Sequence, residues 1–134
     1  MSENEEIIKL IEVFFESGKT KDFSHLKEIQ LNDSKFSSFS DLRPYDLKDI
    51  QTALELQELK FISISDYSYE IKKPKISVFR DTAIVAFELN QKGMLVDNKA
   101  FTGQHISIEG RATFVLVKIP TWKIVHIHLS KIRD

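Results

Sequence analysis

The sequence predicts an α+β fold in which three N-terminal helices pack in a curved antiparallel sheet, with residues 1–134 forming one domain. Three observations carry this expectation. Apolar residues recur at helical spacing as far as Lys60, and from Phe61 onward they alternate with polar ones. Every helical segment also precedes every strand segment, so consecutive strands must curl around helices already made.

Ile7, Leu10, Ile11 and Phe14 form the stripe of the first helix, widened by Ile8 and Phe15, while Glu5, Glu6, Lys9, Glu12 and Glu16 take the wet side. Ser2 or Asn4 can cap it, the early glutamates suit its positive dipole end, and Gly18 is read as its stop. "KDFSHLKEI" restarts a helix with Asp22 as candidate cap and Phe23, Leu26 and Ile29 inward. The segment 31–46 carries turn residues and Pro44 and reads as a connector packed down by Phe36, Phe39, Leu42 and Tyr45. Asp46 is expected to open the third helix, with Asp49 in a weak capping box and Leu47, Ile50, Leu54, Leu56 and Leu59 toward the core. Five strand-like runs follow: 61–71, 75–80, 82–90, 104–118 and 122–132. They are rich in Ile, Val, Phe, Tyr and Thr and broken at Lys73-Pro74, Asp81-Thr82, Gly93 with Asp97-Asn98, and Pro120-Thr121.

At 134 residues the chain can bury roughly two thirds of its unfolded surface, enough for one self-sufficient core. Nineteen Lys+Arg against twenty Asp+Glu give a net charge of -1, which disfavours nucleic acid as a partner. No cysteine is present, which excludes disulfides, thiolate nucleophiles and Cys-ligated zinc. The acidic N-terminus lacks signal-peptide character, and no apolar run approaches the roughly twenty residues of a membrane span. The expectation is a cytoplasmic protein without membrane contact.

"GRATFVLVK" followed by "WKIVHIHLS" resembles the ending of the nuclear transport factor 2-like superfamily, within it the polyketide cyclase-like (SnoaL-like) domains. It is also similar to the association domain of calcium/calmodulin-dependent protein kinase. The likeness extends from the first helix through Ser130. Arg80 in "RDTAIVAF" and Lys21 before Asp22 stand where the family often has glycine. The resemblance implies a conical, cystatin-like cup with a cavity between helices and sheet, and a homodimer built through the sheet. It implies no single activity, because this fold serves isomerases, dehydratases, cyclases, binding modules and assembly domains alike.

Alternation places Trp122, Ile124, His126, His128 and Ser130 on one strand face, and Val125, Ile127 and Leu129 on the other. Trp122, His126 and His128 are therefore candidates for the dimer interface. Two imidazoles on one strand face could also share a zinc at about 2 Å, with His105 or Glu109 as third ligand. The family carries these histidines without a metal, so none is expected here. In "QHISIEGRATFVLVK", pattern alone makes His105, Ser107, Glu109, Arg111 and Thr113 a solvated face opposite Ile106, Ile108, Ala112, Phe114 and Leu116. The resemblance instead implies that Arg111 and Thr113 line the cup, with arginine holding an anion and Glu109 as its alternative partner.

The expected function is a homodimeric, cup-shaped binding domain for a small, partly apolar and anionic molecule. Its pocket candidates are Arg111, Thr113, His105, Tyr45, Phe14, Phe36 and Phe87. The first alternative is a cofactor-independent isomerase, dehydratase or cyclase acting by general acid-base catalysis; the second is a pure oligomerisation module. Asp22, Asp33, Asp41, Tyr45, Tyr67, Tyr69, Asp81 and His105 are the groups available for proton transfer, though Asp22 reads as a cap and Asp81 as a turn residue. No phosphate loop, nucleophile elbow or catalytic triad is present, and no cofactor is expected.

Overall fold

A computed structural model describes residues 2–132. The chain runs α1 (Glu3–Thr20), α2 (Ser24–Ile29), β1 (Ser37–Phe39), α3 (Ile50–Ser63), β2 (Ser65–Phe79), β3 (Thr82–Asp97), β4 (Thr102–Lys118) and β5 (Trp122–Lys131). The strands form one sheet in the order β1-β5-β4-β3-β2. The pairs among β2, β3, β4 and β5 are antiparallel, while β1 runs parallel to β5. β1 is a strand that the connector reading of 31–46 missed. Its three residues are too few for alternation to register, and only the register of Ser38 against Ile127 makes them a strand.

α1 is capped by Ser2, whose hydroxyl oxygen accepts from Glu5 N at 3.2 Å. Gly18 does not stop it. The helix continues to Thr20, and Lys21 closes it in the left-handed region at φ 61. Gly18 is buried, and a β-carbon there would lie 2.6 Å from Phe61 Cδ1 and 2.7 Å from Tyr67 Cδ2, so its hydrogen lets α3 and β2 approach. Asp22 accepts from Ser24 N and Oγ and forms a turn ahead of α2. α3 begins at Ile50 because Lys48 exchanges both backbone hydrogen bonds with Ser38, which holds the preceding residues extended. Asp49, and not Asp46, is therefore the cap, accepting from Thr52 N at 2.9 Å. Leu47 and Leu59 are exposed, contrary to the core expectation, and Phe61 belongs to the last turn of α3.

Lys73-Pro74 does not separate two strands. β2 is continuous across it through an irregularity between Lys72 and Lys75, and as an edge strand it tolerates the missing N–H of proline. The inner face of the sheet packs on α1 and α3 around Phe14, Phe15, Phe61, Phe87 and Phe114, whose rings meet edge-on, tilted or stacked at centroid distances of 5.0 to 6.2 Å. Each buried ring contributes about 1.5–3 kcal/mol relative to exposure, so this cluster anchors the helices on the sheet.

Candidate functional site

Apart from the aromatic cluster, a cleft of 620 Å³ lies between the C-terminal half of α3, residues 40–43 and the start of β4. The cleft forms because β5 covers β4 only from Gly110 to Lys118. Leu42, Leu56, Ile64, Leu95, Ile106 and Ile108 supply its apolar wall, and Arg43, His105 and Lys131 stand around it. Lys60 lies four residues after Leu56 on α3 and so projects from the same helix face into this space. No carboxylate is among the lining residues.

Lys60 Nζ donates to Asp41 Oδ1 at 3.1 Å, with side-chain exposures of 10% and 2% for the two partners. Asp41 Oδ2 accepts from Gln91 Nε2 at 3.1 Å, and Gln91 Oε1 accepts from the Tyr67 hydroxyl at 2.8 Å. The chain Lys60–Asp41–Gln91–Tyr67 thus crosses from cleft to core. Burial, then the charge of Asp41, raises the proton affinity of the Tyr67 phenol well above the ordinary tyrosine range, which keeps it neutral and donating. Among the described residues Asp41 is the only hydrogen-bond partner of Lys60 Nζ, which leaves donors of the ammonium free toward the cleft. Lys48, also buried, is different: its ammonium donates to the carbonyls of Pro44 and Asp46, each at 2.5 Å. A 40 Å³ void beside it, lined by Phe14, Phe61, Ile127, Leu129 and Lys60 among others, holds little more than a water or two.

Several expected site residues lie elsewhere. Arg111 is exposed on the outer sheet face, between Glu88 and Ser130 in register, because its neighbours Gly110 and Ala112 take the inner positions. Thr113 is half-buried on that outer face between Ala86 and His128. Neither lines the cup. Tyr45 is 55% exposed along a shallow groove of 360 Å³ with His128 and Lys131. Phe36 and Phe87 are buried in the core away from the cleft, whereas Phe14 borders the small void and exposed His105 the cleft.

Trp122 is buried in its own subunit's core at 4% exposure, which removes it from any interface. The cause is a bulge: Val115 pairs with His126 but Leu116 with Ile124, so Val125 is the extra residue and alternation resets across it. Trp122 and Ile124 consequently share the inner face with Ile127 and Leu129. His126 and His128 stay outside, flanking Phe39 at ring distances of 6.3 and 5.3 Å. Glu109 lies four residues along β4 from Thr113, the partner of His128, or about 13 Å, and His105 is farther, so the zinc set does not assemble. Among the described residues no group of three or more His, Asp or Glu side chains is placed to hold a metal.

Lys60 and Gln91 are the residues of this hydrogen-bonded chain that the site expectations missed, whereas Asp41 stood among the groups available for proton transfer. Gln91 did leave a signal, a polar residue at the same alternation as Val85, Phe87 and Leu89 on an otherwise apolar strand face.

Residues 7–134 match the family model of the SnoaL-like domain. Among solved structures, a proposed dehydratase of the NTF2-like family from Streptomyces avermitilis superposes with a TM-score of 0.83 at 19% identity, covering 97% of both chains. An NTF2-like superfamily protein from Salmonella enterica serovar Typhimurium gives 0.77 at 23% identity, over 97% of this chain and 91% of that one. The association domain of Caenorhabditis elegans CaMKII gives 0.72 at 17% identity, over 96% and 95%. These identities carry the fold alone. No curated protein matches the sequence.

Proposed function

The chain belongs to the SnoaL-like domain family, and from that premise we propose that it is a homodimeric, cup-shaped binding domain for a small, partly apolar, anionic molecule. The carrying observation is the Lys60 ammonium, nine-tenths buried in a largely apolar cleft with donors to spare. A cleft of 620 Å³ is within the range of small-molecule sites. The Lys60–Asp41 pair also has little to offer stability, since buried ion pairs replaced whole by apolar residues are commonly neutral or stabilising. Lys60 takes the anchoring role that the sequence reading gave to Arg111.

The test is titration with octane-1-sulfonate, octan-1-ol and octylammonium. The sulfonate is expected to bind at least tenfold more tightly than the alcohol, and octylammonium not at all. D41L/K60M, which removes both charges together and avoids an orphaned ion, is expected to erase the preference for the sulfonate; an undiminished preference overturns the reading.

Two other readings remain distinct. The enzyme reading needs a titratable group in the cleft without an ion-pair partner: Asp41 is paired with Lys60, which leaves exposed His105 as its candidate among the described residues. The assembly reading draws support from the aromatic cluster, which fills the space between helices and sheet with the protein's own side chains. It shares with the binding reading a dimer through the outer sheet face, where Ile84, Val115 and His126 lie side by side in register.

A further inference from the structure

An anion entering the cleft meets a charge imbalance. Lys60 and Asp41 neutralise each other, so the arriving charge leaves the buried site one negative charge in excess, in a medium where uncompensated charge is costly. The groups facing Asp41 show how this can be relieved. From α3 there is Lys60, and from the segment before it Lys48, which donates to two backbone carbonyls and lies 3.8 Å from the exposed Asp46 carboxylate. From β2 there is Tyr67, held neutral, and beyond it Tyr69, whose hydroxyl donates to Glu16 Oε2 at 2.6 Å. From β3 comes the uncharged Gln91, and β4 and β5 bring exposed His105, His128 and Lys131, with exposed Arg43 and Tyr45 in the segment that carries Asp41. Among these described residues, Asp41 is the buried group whose charge can change by gaining a proton.

The receiving atom is also defined. Tyr67 donates to Gln91 Oε1, which points Gln91 Nε2 at Asp41 and fixes Oδ2 as an acceptor. Oδ1 is the oxygen turned to Lys60, the residue of the pair that lines the cleft. We propose that anion binding at Lys60 is accompanied by transfer of one proton from solvent to Asp41 Oδ1, so that the cleft takes up an anion and a proton together. One O–H bond forms at Oδ1, the buffer supplies the proton, and no other bond changes. A ligand held on Lys60 then faces a neutral carboxyl able to donate, which is the arrangement that the resting ion pair hides. This inference rests on the anion-binding reading above.

The experiment is calorimetric titration of the full chain with octane-1-sulfonate, an anion that stays ionised, in phosphate and in Tris at pH 7, and in two further buffers of unequal ionisation heat at pH 6. Expected are buffer-dependent heats that report net proton uptake, and an affinity that rises as pH falls, by at most about tenfold per pH unit. D41N, which keeps the Gln91 contact, should bind with no uptake, while H105Q should retain it. In wild type, infrared difference spectra should show a protonated carboxyl appearing on binding, a readout that needs no variant. Binding with equal heats in both buffers and no pH dependence overturns the proton coupling and leaves the anion site standing. Uptake lost in H105Q but kept in D41N overturns it too. No binding at any pH overturns the anion reading and this inference together.

Discussion

The ammonium of Lys21, the residue that closes α1, stands 2.5 Å from the carbonyl oxygen of Ile64, the residue that closes α3. It donates also to Gly18 O at 2.7 Å and to Phe61 O. One side chain therefore satisfies carbonyls at the ends of two helices, where no helical partner exists. The same residue sits at φ 61, in a region costing a non-glycine residue about 1–2 kcal/mol. Lys21→Met should destabilise by about 1–3 kcal/mol, since the strain stays and the donor goes; Lys21→Gly should cost less, because it removes both. Arg80 occupies φ 59 with no side-chain hydrogen bond among the described residues, so Arg80→Gly should stabilise by about 1 kcal/mol. Urea unfolding of the three variants checks the order R80G above wild type, then K21G, then K21M.

Gly18→Ala sets two effects against each other. In an open helix the change gains about 1 kcal/mol of propensity. Here the new methyl carbon would fall 2.6 Å from Phe61 and 2.7 Å from Tyr67, both ring atoms in a packed core. Overpacking costs about 1–3 kcal/mol and should win, so thermal unfolding is expected at lower temperature than wild type.

The fold was legible because its signal is cumulative. Alternation across β3 and β4 survives any single exception, and there the simple pattern was better than the resemblance: Arg111 and Thr113 face outward, as their apolar neighbours require. What failed was anything that hangs on one residue of register. The bulge at Val125 moved Trp122 from the face of His126 to the opposite one, and nothing in "TWKIVHIHLS" marks the extra residue. The cleft was less legible still, since Asp41, Lys60 and Gln91 are far apart in sequence and each is unremarkable in its own segment.

His126 should hold its proton less tightly than an ordinary histidine. Burial is the first cause, and neighbouring His128 adds a second; a hydrogen bond with the backbone of Ser37 works the other way. Between the usual value near 6.5 and the lower native one, the unfolded chain binds more protons than the folded chain. This contribution to stability is therefore constant above about pH 6.5 and declines as pH falls below it. Following the His126 ring proton by NMR should give a midpoint below 6.5.

The outer face offers the last expectation. Ile84 is 40% exposed in the centre of the sheet, in register with half-buried Val115, which is in turn opposite His126; Ala86, Thr113 and His128 make the next row. On a lone subunit Val115→Asp would be an ordinary surface change worth within about 0.5 kcal/mol. In the proposed dimer the carboxylate would be buried opposite its own copy or an apolar partner, with no compensating charge. Sedimentation equilibrium should then find wild type as a dimer at micromolar concentration and Val115→Asp as a folded monomer, with the circular dichroism spectrum unchanged. His126 makes the same prediction testable without mutation: its protonation in acid would place positive charge on both copies of the contact, so the wild-type dimer should weaken as pH falls. A protein that sediments as a monomer at every pH and concentration would remove the dimer while leaving the cleft and its Lys60–Asp41 pair untouched.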